Sequence, residues 1–555
     1  MITIGNINKS PSFIILFKSK IFSLNMRFSV FFFVFLFSTA VFKGFSQNDS
    51  MSIQISENEK WWGASVGMGS EMPFANKLNL INLETTNFGN QTVPLLISSN
   101  GRYVWSDFPF QFYIENNVIH IKSVNQDLNL SQSGETLKSA FLDVSKNHFP
   151  PSGHIPDSLF FTKPTYNTWI ELTYNQNQKD ILNYAHQIIK NQFPAGILMI
   201  DDNWQKYYGN FEFKPDKFPN PKSMVDQLHK LGFKVLLWVC PFISPDSPEF
   251  RWLREKGYLL KLKNDNPAII SWWNGNSACL DLTNPDAFQY IKNKLQSVQK
   301  EYGIDGFKFD AGDTEHFRAE YNFFDKNASS VTMSENWAKL GLNFSFNEYR
   351  ACWKMGGEAL IQRLSDKSYS WNSLKLLIPE MLTAGILGYA YTCPDMIGGG
   401  EFRSFQNITA SDFDQRLIIR SAQIQALMPM MQFSVAPWRI LSTENMKICR
   451  QFALLHQKFG NYLLQNAKES SKTGEPIVRY LEYAFPHQGF SNCNDQFMLG
   501  EKYLVAPILT NENTRKVILP KGIWRDDLGR IYKGDSTITV EVGLERLPYF
   551  ERIQN

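Results

Sequence analysis

A lysine and an aspartate stand one residue apart inside an apolar run, in the segment DGFKFDAGD at residues 305–313. Side chains alternate between the two faces of a β-strand, so Phe307 and Phe309 would share one face. Lys308 and Asp310 would then share the other face, and the small residues that follow let the chain turn and leave the Asp310 carboxylate accessible. A buried structural Lys–Asp pair is the alternative, but buried ion pairs stabilise proteins weakly. The pattern favours a functional carboxylate.

Several other apolar runs also end in charged or aromatic side chains. One such aspartate could simply cap a helix, and Asp202 and Asp395 are each open to that interpretation. Four carboxylate-bearing ends on neighbouring strands would instead converge on one rim. Carboxylates accept hydrogen bonds from hydroxyls, indoles stack on sugar rings, and two carboxylates can cleave a glycosidic bond. The residues at these run ends are Asp201, Asp202, Trp238, Arg363, Asp366 and Asp395. They predict a sugar site.

The pattern along the chain divides it into three parts. Short alternating runs in the first part predict antiparallel strands, which favour a β-sandwich. In the middle, apolar runs alternate with stretches of helical period, which predicts a parallel sheet covered by helices. Seven or eight such units fit a closed barrel better than an open sheet. The predicted strands lie in TWIELTY, GILMIDDNW, KVLLWVCPF, IDGFKFDAGD, EALIQRLSD, ILGYAYTCPDMIG and MMQFSVAPW.

We therefore expect an α/β protein built on a (β/α)8 TIM barrel, with an N-terminal β-sandwich and a small C-terminal β-domain. Inside a barrel strand, Lys308 and Asp310 would project inward near the C-terminal end, where barrel enzymes keep their chemistry. The predicted boundaries are a signal peptide at 1–47, the sandwich at 48–162, the barrel at 163–470 and the C-terminal domain at 471–555.

The predicted signal peptide contains the segment MRFSVFFFVFLFSTAVFKGFSQ, which begins at Met26. One early arginine precedes an apolar run of about fifteen residues, a length typical of signal peptides and short for a membrane span. Met26 is a candidate for the true start. An N-terminal membrane anchor is the alternative. We expect an exported protein, periplasmic or secreted, with no membrane span in the mature chain.

Composition excludes some classes of function. The 555 residues carry a net charge of +3 without a basic stripe, so we expect no nucleic-acid partner. Six scattered cysteines do not form a disulfide framework, and Cys240 and Cys393 lie in apolar runs typical of buried positions. Histidines are dispersed and no metal-binding spacing occurs, so we expect neither a metal ion nor another cofactor.

From about residue 165 to the C-terminus, the chain resembles glycoside hydrolase family 31, a family of retaining α-glycosidases. Within it, the likeness is to the branch of the myogenesis-regulating glycosidase and bacterial α-galactosidase-like proteins. The motifs that carry the resemblance are IDDNW, GFKVLLWVCPF, WWNG, FKFDAG, RLSDKSYSW, LIPEMLTAGILGY, PDMIGG and MQFSVAPWR, together with GEPIVRYLEY and LVAPIL near the C-terminus.

The resemblance implies a role for each matching residue. Asp310 in FKFDAG matches the catalytic nucleophile, and Asp366 in RLSDKS matches the general acid/base. The branch usually has glutamate where this chain has Asp313, which keeps the charge but shortens the reach. The implied substrate-contact residues are Asp201, Asp202, Trp238, Trp273, Lys308, Arg363 and Asp395.

Electrostatics add two expectations to this assignment. A nucleophile must be ionised, which Lys308 beside Asp310 would favour. The acid must keep its proton at the working pH, so we expect Asp366 to be buried near the nucleophile's charge. We expect Arg363 to face the sugar hydroxyls, because contact with Asp366 would favour loss of that proton.

The expected function is a retaining, exo-acting α-glycoside hydrolase of α-galactosidase type, with an oligosaccharide or glycoside as its partner. Within the family, α-glucosidase, α-xylosidase and transglycosylase activities remain open. A non-catalytic carbohydrate-binding protein is the alternative of another class, although it would more readily have lost Asp310 or Asp366. A metal-dependent hydrolase is disfavoured by the missing histidine cluster.

Overall fold

The structure is a computed structural model that describes residues 50–123, 127–405, 408 and 410–554. The predicted signal peptide at 1–47 lies outside the described residues. Within the described part of the chain, no helix has the length and apolar character needed to span a bilayer.

The central sheet contains eight parallel strands and forms the predicted barrel. A parallel bridge between Met396 and Gln432 joins its two ends, and Ile397 donates its backbone N–H to the Gln432 carbonyl at 2.8 Å. The strands follow one another around the barrel in chain order. They are β1 (Thr165–Asn167), β2 (Ile197–Ile200), β3 (Lys234–Val239), β4 (Gly306–Phe309), β5 (Phe346–Tyr349), β6 (Gln362–Arg363), β7 (Thr392–Cys393) and β8 (Gln432–Phe433).

Amphipathic helices surround these strands. Three of them begin with proline at the first position, after an Asn or Ser whose side chain accepts a hydrogen bond from the first turn. The longer helices are Gln178–Lys190, Pro221–Lys230, Pro248–Lys256, Pro285–Tyr302, Ser330–Gly341, Leu377–Ile386, Gln415–Ala426 and Thr443–Thr473. The short helical segments are Leu159–Thr162, Trp169–Leu172, Thr314–His316, Trp371–Leu374, Phe402–Phe405, Ala410–Asp412, Pro437–Ile440 and Leu481–Ala484.

The barrel strands differ from the prediction in two places: one predicted strand is wrong and one strand was not predicted. TWIELTY contains a short helix, Trp169–Leu172, because the Asn167 side chain accepts a hydrogen bond from the Trp169 N–H and turns the chain after β1. β5 was not among the predicted strands. Its residue Glu348 is completely buried and accepts a hydrogen bond from Gln432. Because a charged residue in a short run is typical of a loop, the sequence pattern did not indicate a strand there.

The N-terminal part of the chain is rich in β-structure, as predicted. It contains two mainly antiparallel sheets whose buried residues belong to the same hydrophobic core as the barrel. One sheet contains Ser50–Gln54, Leu78–Asn82, Phe110–Glu115 and Val118–Ser123. The other contains Trp61–Ser65, Gln91–Ser98, Arg102–Trp105, Asn129–Gln132 and, from the barrel region, Cys352–Trp353. A 3-10 helix at Val66–Glu71 and an α-helix at Leu137–His148 accompany them.

The C-terminal part is a small β-region with its own apolar cluster around Trp524 and Phe550. Its strands are Val478–Arg479, Phe497–Leu499, Tyr503–Val505, Thr514–Leu519, Ile523–Asp526, Ile531–Lys533, Ser536–Glu541 and Tyr549–Gln554. A separate three-stranded sheet follows β3 and carries the WWNG motif. It contains Phe242–Ile243, Ile270–Trp272 and Gly275–Cys279.

Candidate active site

A cavity of about 410 Å³ opens at the C-terminal ends of the barrel strands. Most of the residues predicted from sequence line this cavity. They are Asp201, Asp202, Trp238, Trp273, Lys308, Asp310, Arg363 and Asp366. Asp395, the remaining predicted contact, is fully buried behind the cavity wall. The convergence of carboxylates and tryptophans on one rim is therefore present in the folded chain.

Asp310 follows directly after β4, and the strand positions it as alternation predicts. Phe309 faces the helix layer, where its ring stacks on Tyr349 at 4.7 Å, so the Asp310 side chain faces the cavity. Ala311 adopts a left-handed φ of 60°, which turns the chain and lets its N–H donate to Asp310 Oδ1 at 2.8 Å. Gly312 is required here, since a Cβ would lie 2.7 Å from the Ala351 carbonyl oxygen.

Arg350 is the direct cationic partner of Asp310. Its Nε donates to Asp310 Oδ1 at 2.9 Å, while the Trp238 Nε1 donates to Oδ2 at 3.0 Å. Burial would raise the pKa of Asp310, but the charges of Arg350 and Lys308 outweigh it and hold that pKa below its usual range. Arg350 also forms a two-pronged ion pair with Asp313.

Lys308 forms its ion pair with Asp201, not with Asp310. The distance from Nζ to Asp201 Oδ2 is 2.6 Å, and both side chains are buried. The alternative of a structural Lys308–Asp310 pair is therefore not what the structure contains, and the lysine charge contributes to lowering the Asp310 pKa, as expected. A lysine side chain is long enough to reach the end of β2 from β4, which strand alternation alone does not reveal.

Arg363 contacts Asp366, contrary to expectation. Its Nη1 donates to Asp366 Oδ1 and to Asp395 Oδ1, each at 2.7 Å, and its Nε lies 3.5 Å from a Glu348 carboxylate oxygen. A fully buried guanidinium needs several acceptors, and the cluster of carboxylates supplies them. The Asp366 side chain is 39% exposed, so the expected burial of Asp366 is also wrong.

Asp395 is hydrogen-bonded to two segments of the chain next to the cavity. Its Oδ2 accepts backbone N–H groups of Lys367 and Gly400 at 2.8 and 3.0 Å. Burial raises the pKa of Asp395, in opposition to the nearby Arg363. The residue thus connects the segment after β6 with the segment after β7.

Asp202 lies in a network of polar side chains at the other side of the cavity. It accepts a hydrogen bond from the Tyr208 hydroxyl at 3.1 Å and another from the Asn274 amide, which belongs to WWNG. Asn274 in turn accepts from the Tyr174 hydroxyl at 2.9 Å. Burial and the charge of Asp201 raise the pKa of Asp202 to about 7.

The two predicted tryptophans differ in exposure. Trp238 is buried and lies parallel to Trp272, with the ring planes 9° apart. Trp273 is 47% exposed at the mouth, where its ring lies 5.6 Å from the Arg350 guanidinium. The mouth is completed by residues that sequence reasoning did not identify. They are Gly89, Trp169, Tyr174, Glu315, His316, Arg350, Ser365, Glu401, Phe402 and Arg403, and Asp313, which the sequence had singled out, lies beside them.

Arg350 is the most consequential of these missed residues. Arg350 follows directly after β5, the strand that was not predicted. A prediction of β5 would also have placed Arg350 at the end of a barrel strand. Gly89 comes from the N-terminal sheets, and its carbonyl accepts a hydrogen bond from Arg350 Nη1 at 3.0 Å. Contacts between parts of the chain this distant leave no local sequence pattern.

Comparisons with known proteins agree with the fold and the motifs. Residues 162–465 match the Glycosyl hydrolases family 31 TIM-barrel domain, and residues 474–554 match the Glycosyl hydrolase family 31 C-terminal domain. The Myogenesis-regulating glycosidase of Mus musculus is 31% identical over 429 residues, which cover 75% of this chain and 60% of the mouse protein. The Alpha-xylosidase XylQ of Lactiplantibacillus pentosus is 25% identical, over 86% of this chain and 62% of the relative.

Solved structures share the architecture. A GH31 dextranase from Flavobacterium johnsoniae, complexed with glucose, superposes with a TM-score of 0.78 over 91% of this chain and 66% of that one, at 20% identity. The chain thus spans less than two thirds of the length of the two curated relatives named above, at 60% and 62%. Its matched domains cover both the barrel and the C-terminal region, and the chain belongs to glycosyl hydrolase family 31.

Proposed function

We propose that the protein is a retaining, exo-acting α-glycoside hydrolase in which Asp310 is the nucleophile and Asp366 the general acid/base. One observation carries the proposal. Within a single cavity, Asp310 is held in its ionised form by Arg350, whereas Asp366 is 39% exposed on the cavity wall. Two carboxylates in such different surroundings suit two different roles.

In the first step, an Asp310 oxygen attacks the anomeric carbon while Asp366 donates its proton to the departing glycosidic oxygen. The aglycone leaves as a neutral alcohol, and a glycosyl ester of Asp310 remains. Asp366, now ionised, then takes a proton from water, whose oxygen attacks the anomeric carbon and displaces Asp310. Trp238 and the Ala311 N–H hold the departing carboxylate in place.

Arg363 has a defined part in this cycle. Its contact with Asp366 stabilises the carboxylate that forms after proton donation, and Asp395 and Glu348 share its charge.

For the substrate we propose an α-galactoside, supported by the likeness of the motifs to the α-galactosidase-like branch. Two relatives are named as an alpha-xylosidase and an alpha-glucosidase, so α-xylosides and α-glucosides are the competing candidate substrates. A panel of 4-nitrophenyl α-galactoside, α-glucoside and α-xyloside, each assayed with and without a chelator, tests the proposal. We expect turnover that the chelator does not change. Binding without turnover would indicate the non-catalytic alternative, and chelator sensitivity would indicate the metal-dependent one.

Substrate choice gives a prediction about the two neighbouring aspartates. Asp201 and Asp202 both line the cavity, but Asp201 is engaged by the charged Lys308, whereas the side-chain partners of Asp202 are the neutral donors Tyr208 and Asn274. A site that hydrogen-bonds one hydroxyl discriminates against a sugar that leaves the site unpaired. We expect Asp202→Asn to narrow the galactose-to-glucose ratio of kcat/KM by about tenfold or more. The matched Asp201→Asn variant should lower both values and change their ratio less. A wild type that prefers the α-glucoside would overturn the substrate proposal.

A further inference from the structure

A buried ion pair lies directly behind the proposed acid/base. Lys367 Nζ is 2.8 Å from Glu380 Oε2, and their side chains are only 8% and 5% exposed. Lys367 follows Asp366 in the chain, and Glu380 belongs to the helix Leu377–Ile386. Neither residue lines the cavity, so neither is available to contact substrate.

The Lys367 side chain folds back under the turn that carries Asp366. Its Nζ donates to the Ser365 carbonyl at 2.8 Å and to the Ser365 hydroxyl at 3.1 Å. The Lys367 backbone N–H donates to Asp395 at 2.8 Å. Both neighbours of Asp366 in the chain are thus fixed by hydrogen bonds, and the lysine ammonium links one of them to Glu380.

The helix that carries Glu380 is itself held between the barrel and the N-terminal sheets. All ten of its residues are buried. Its backbone lies so near Gly69 that a Cβ there would be 2.6 Å from the Glu380 nitrogen. The carboxylate therefore provides a fixed anchor point for Lys367.

A purely stabilising role explains the pair poorly. The desolvation of two buried charges offsets most of their attraction, and apolar replacements of similar volume are often neutral or stabilising. Burial raises the pKa of Glu380 against the opposing charge of Lys367, so the site is costly for a lone carboxylate. Asp366, by contrast, has a 39% exposed side chain that is held by its contact with Arg363, so its position depends on the turn that carries it.

We propose that the Lys367–Glu380 pair positions Asp366 for proton transfer, which makes both of them positioning residues. This inference rests on the proposed acid/base role of Asp366. Proton transfer requires the donor to lie within hydrogen-bond reach of the leaving oxygen. Without the ion pair, the turn at 365–367 adopts other conformations. The Asp366 carboxyl group then lies less often within hydrogen-bond reach of the departing glycosidic oxygen.

The test uses Lys367→Met and the double variant Lys367→Met/Glu380→Met, with methyl and 2,4-dinitrophenyl glycosides of the preferred sugar. For the single variant, we expect kcat/KM on the methyl glycoside to fall about tenfold or more, while kcat/KM on the dinitrophenyl glycoside, whose departing oxygen needs no proton, changes less than about threefold. Both kcat/KM values report the first step, so slower activation of water by a displaced Asp366 does not affect the comparison.

The double variant separates positioning from stability. It removes both buried charges, so its melting temperature should return toward that of the wild type even where the single variant folds poorly. The deficit on the methyl glycoside should remain, since the lysine link to Ser365 is still missing. Recovery of kcat/KM on the methyl glycoside together with stability would overturn the inference, as would equal losses of kcat/KM on the two substrates.

Glu475→Gln is the matched control. Glu475 forms a largely buried ion pair with Arg479 at 3.0 Å, in the C-terminal part of the chain. This variant should lose stability without changing the ratio of the two kcat/KM values. Asp366→Ala, assayed alongside, tests the underlying function: if it shows no leaving-group dependence, the proposed acid/base role fails. If Asp366→Ala shows the dependence and Lys367→Met does not, only the present inference fails.

Discussion

Asp310→Asn is expected to lower kcat by at least about 10⁴-fold, because removing a nucleophile closes the covalent route rather than slowing it. The amide has nearly the same shape as the carboxylate and can still accept hydrogen bonds from Trp238 Nε1 or the Ala311 N–H. The loss should therefore appear in turnover and not in folding. Stopped assays with a 4-nitrophenyl glycoside, together with melting curves of wild type and variant, measure both.

Asp313→Asn is the matched control for this substitution. It makes the same chemical change on the other carboxylate that Arg350 contacts, so general damage to the arginine site would affect both variants. We expect Asp313→Asn to lose far less activity than Asp310→Asn. A folded Asp310→Asn protein with a kcat near that of the wild type would show that Asp310 is not the nucleophile.

Asp366→Ala is expected to act according to the leaving group. For alkyl glycosides, whose departing oxygen needs a proton, kcat/KM should fall about 10²- to 10⁴-fold. For the 2,4-dinitrophenyl glycoside, the loss in this first step should be small. Because Asp366 also activates water, the second step becomes slow and the glycosyl ester of Asp310 should accumulate.

Added azide distinguishes this role from a structural one. The small anion needs no base, fits the space left by the carboxylate and should restore part of the turnover as a glycosyl azide. Rescue should be absent in the Asp310→Asn variant, which forms no ester. Equal losses on alkyl and dinitrophenyl substrates, without azide rescue, would remove Asp366 from the mechanism.

Strand alternation predicted the essential geometry of one strand end. The structure places the two phenylalanines on one face of the strand and Lys308 and Asp310 on the other. This follows because the barrel interior and the helix layer are different environments. The partner of Lys308 was not predictable in the same way. Its long side chain reaches Asp201 at the end of β2, across the neighbouring strand β3.

The residues that escaped sequence reasoning have a common physical cause. β5 places Glu348 inside the barrel, where contacts with Arg363 and Gln432 compensate its buried charge. In the sequence alone, a glutamate at this position is typical of a loop. Arg350 at the end of that strand was missed with it. Gly89 reaches Arg350 from the N-terminal sheets, a contact between residues 261 positions apart that depends on how the two parts pack.

The central claim is a double displacement at Asp310 and Asp366, and the stereochemistry of the first product tests it most directly. Proton NMR can follow the anomeric signals of a fresh reaction on an aryl α-glycoside before mutarotation mixes the two forms. Two successive inversions give net retention, so the account predicts that the α-anomer appears first. A β-anomer that appears first would contradict the covalent intermediate and the roles assigned to both carboxylates.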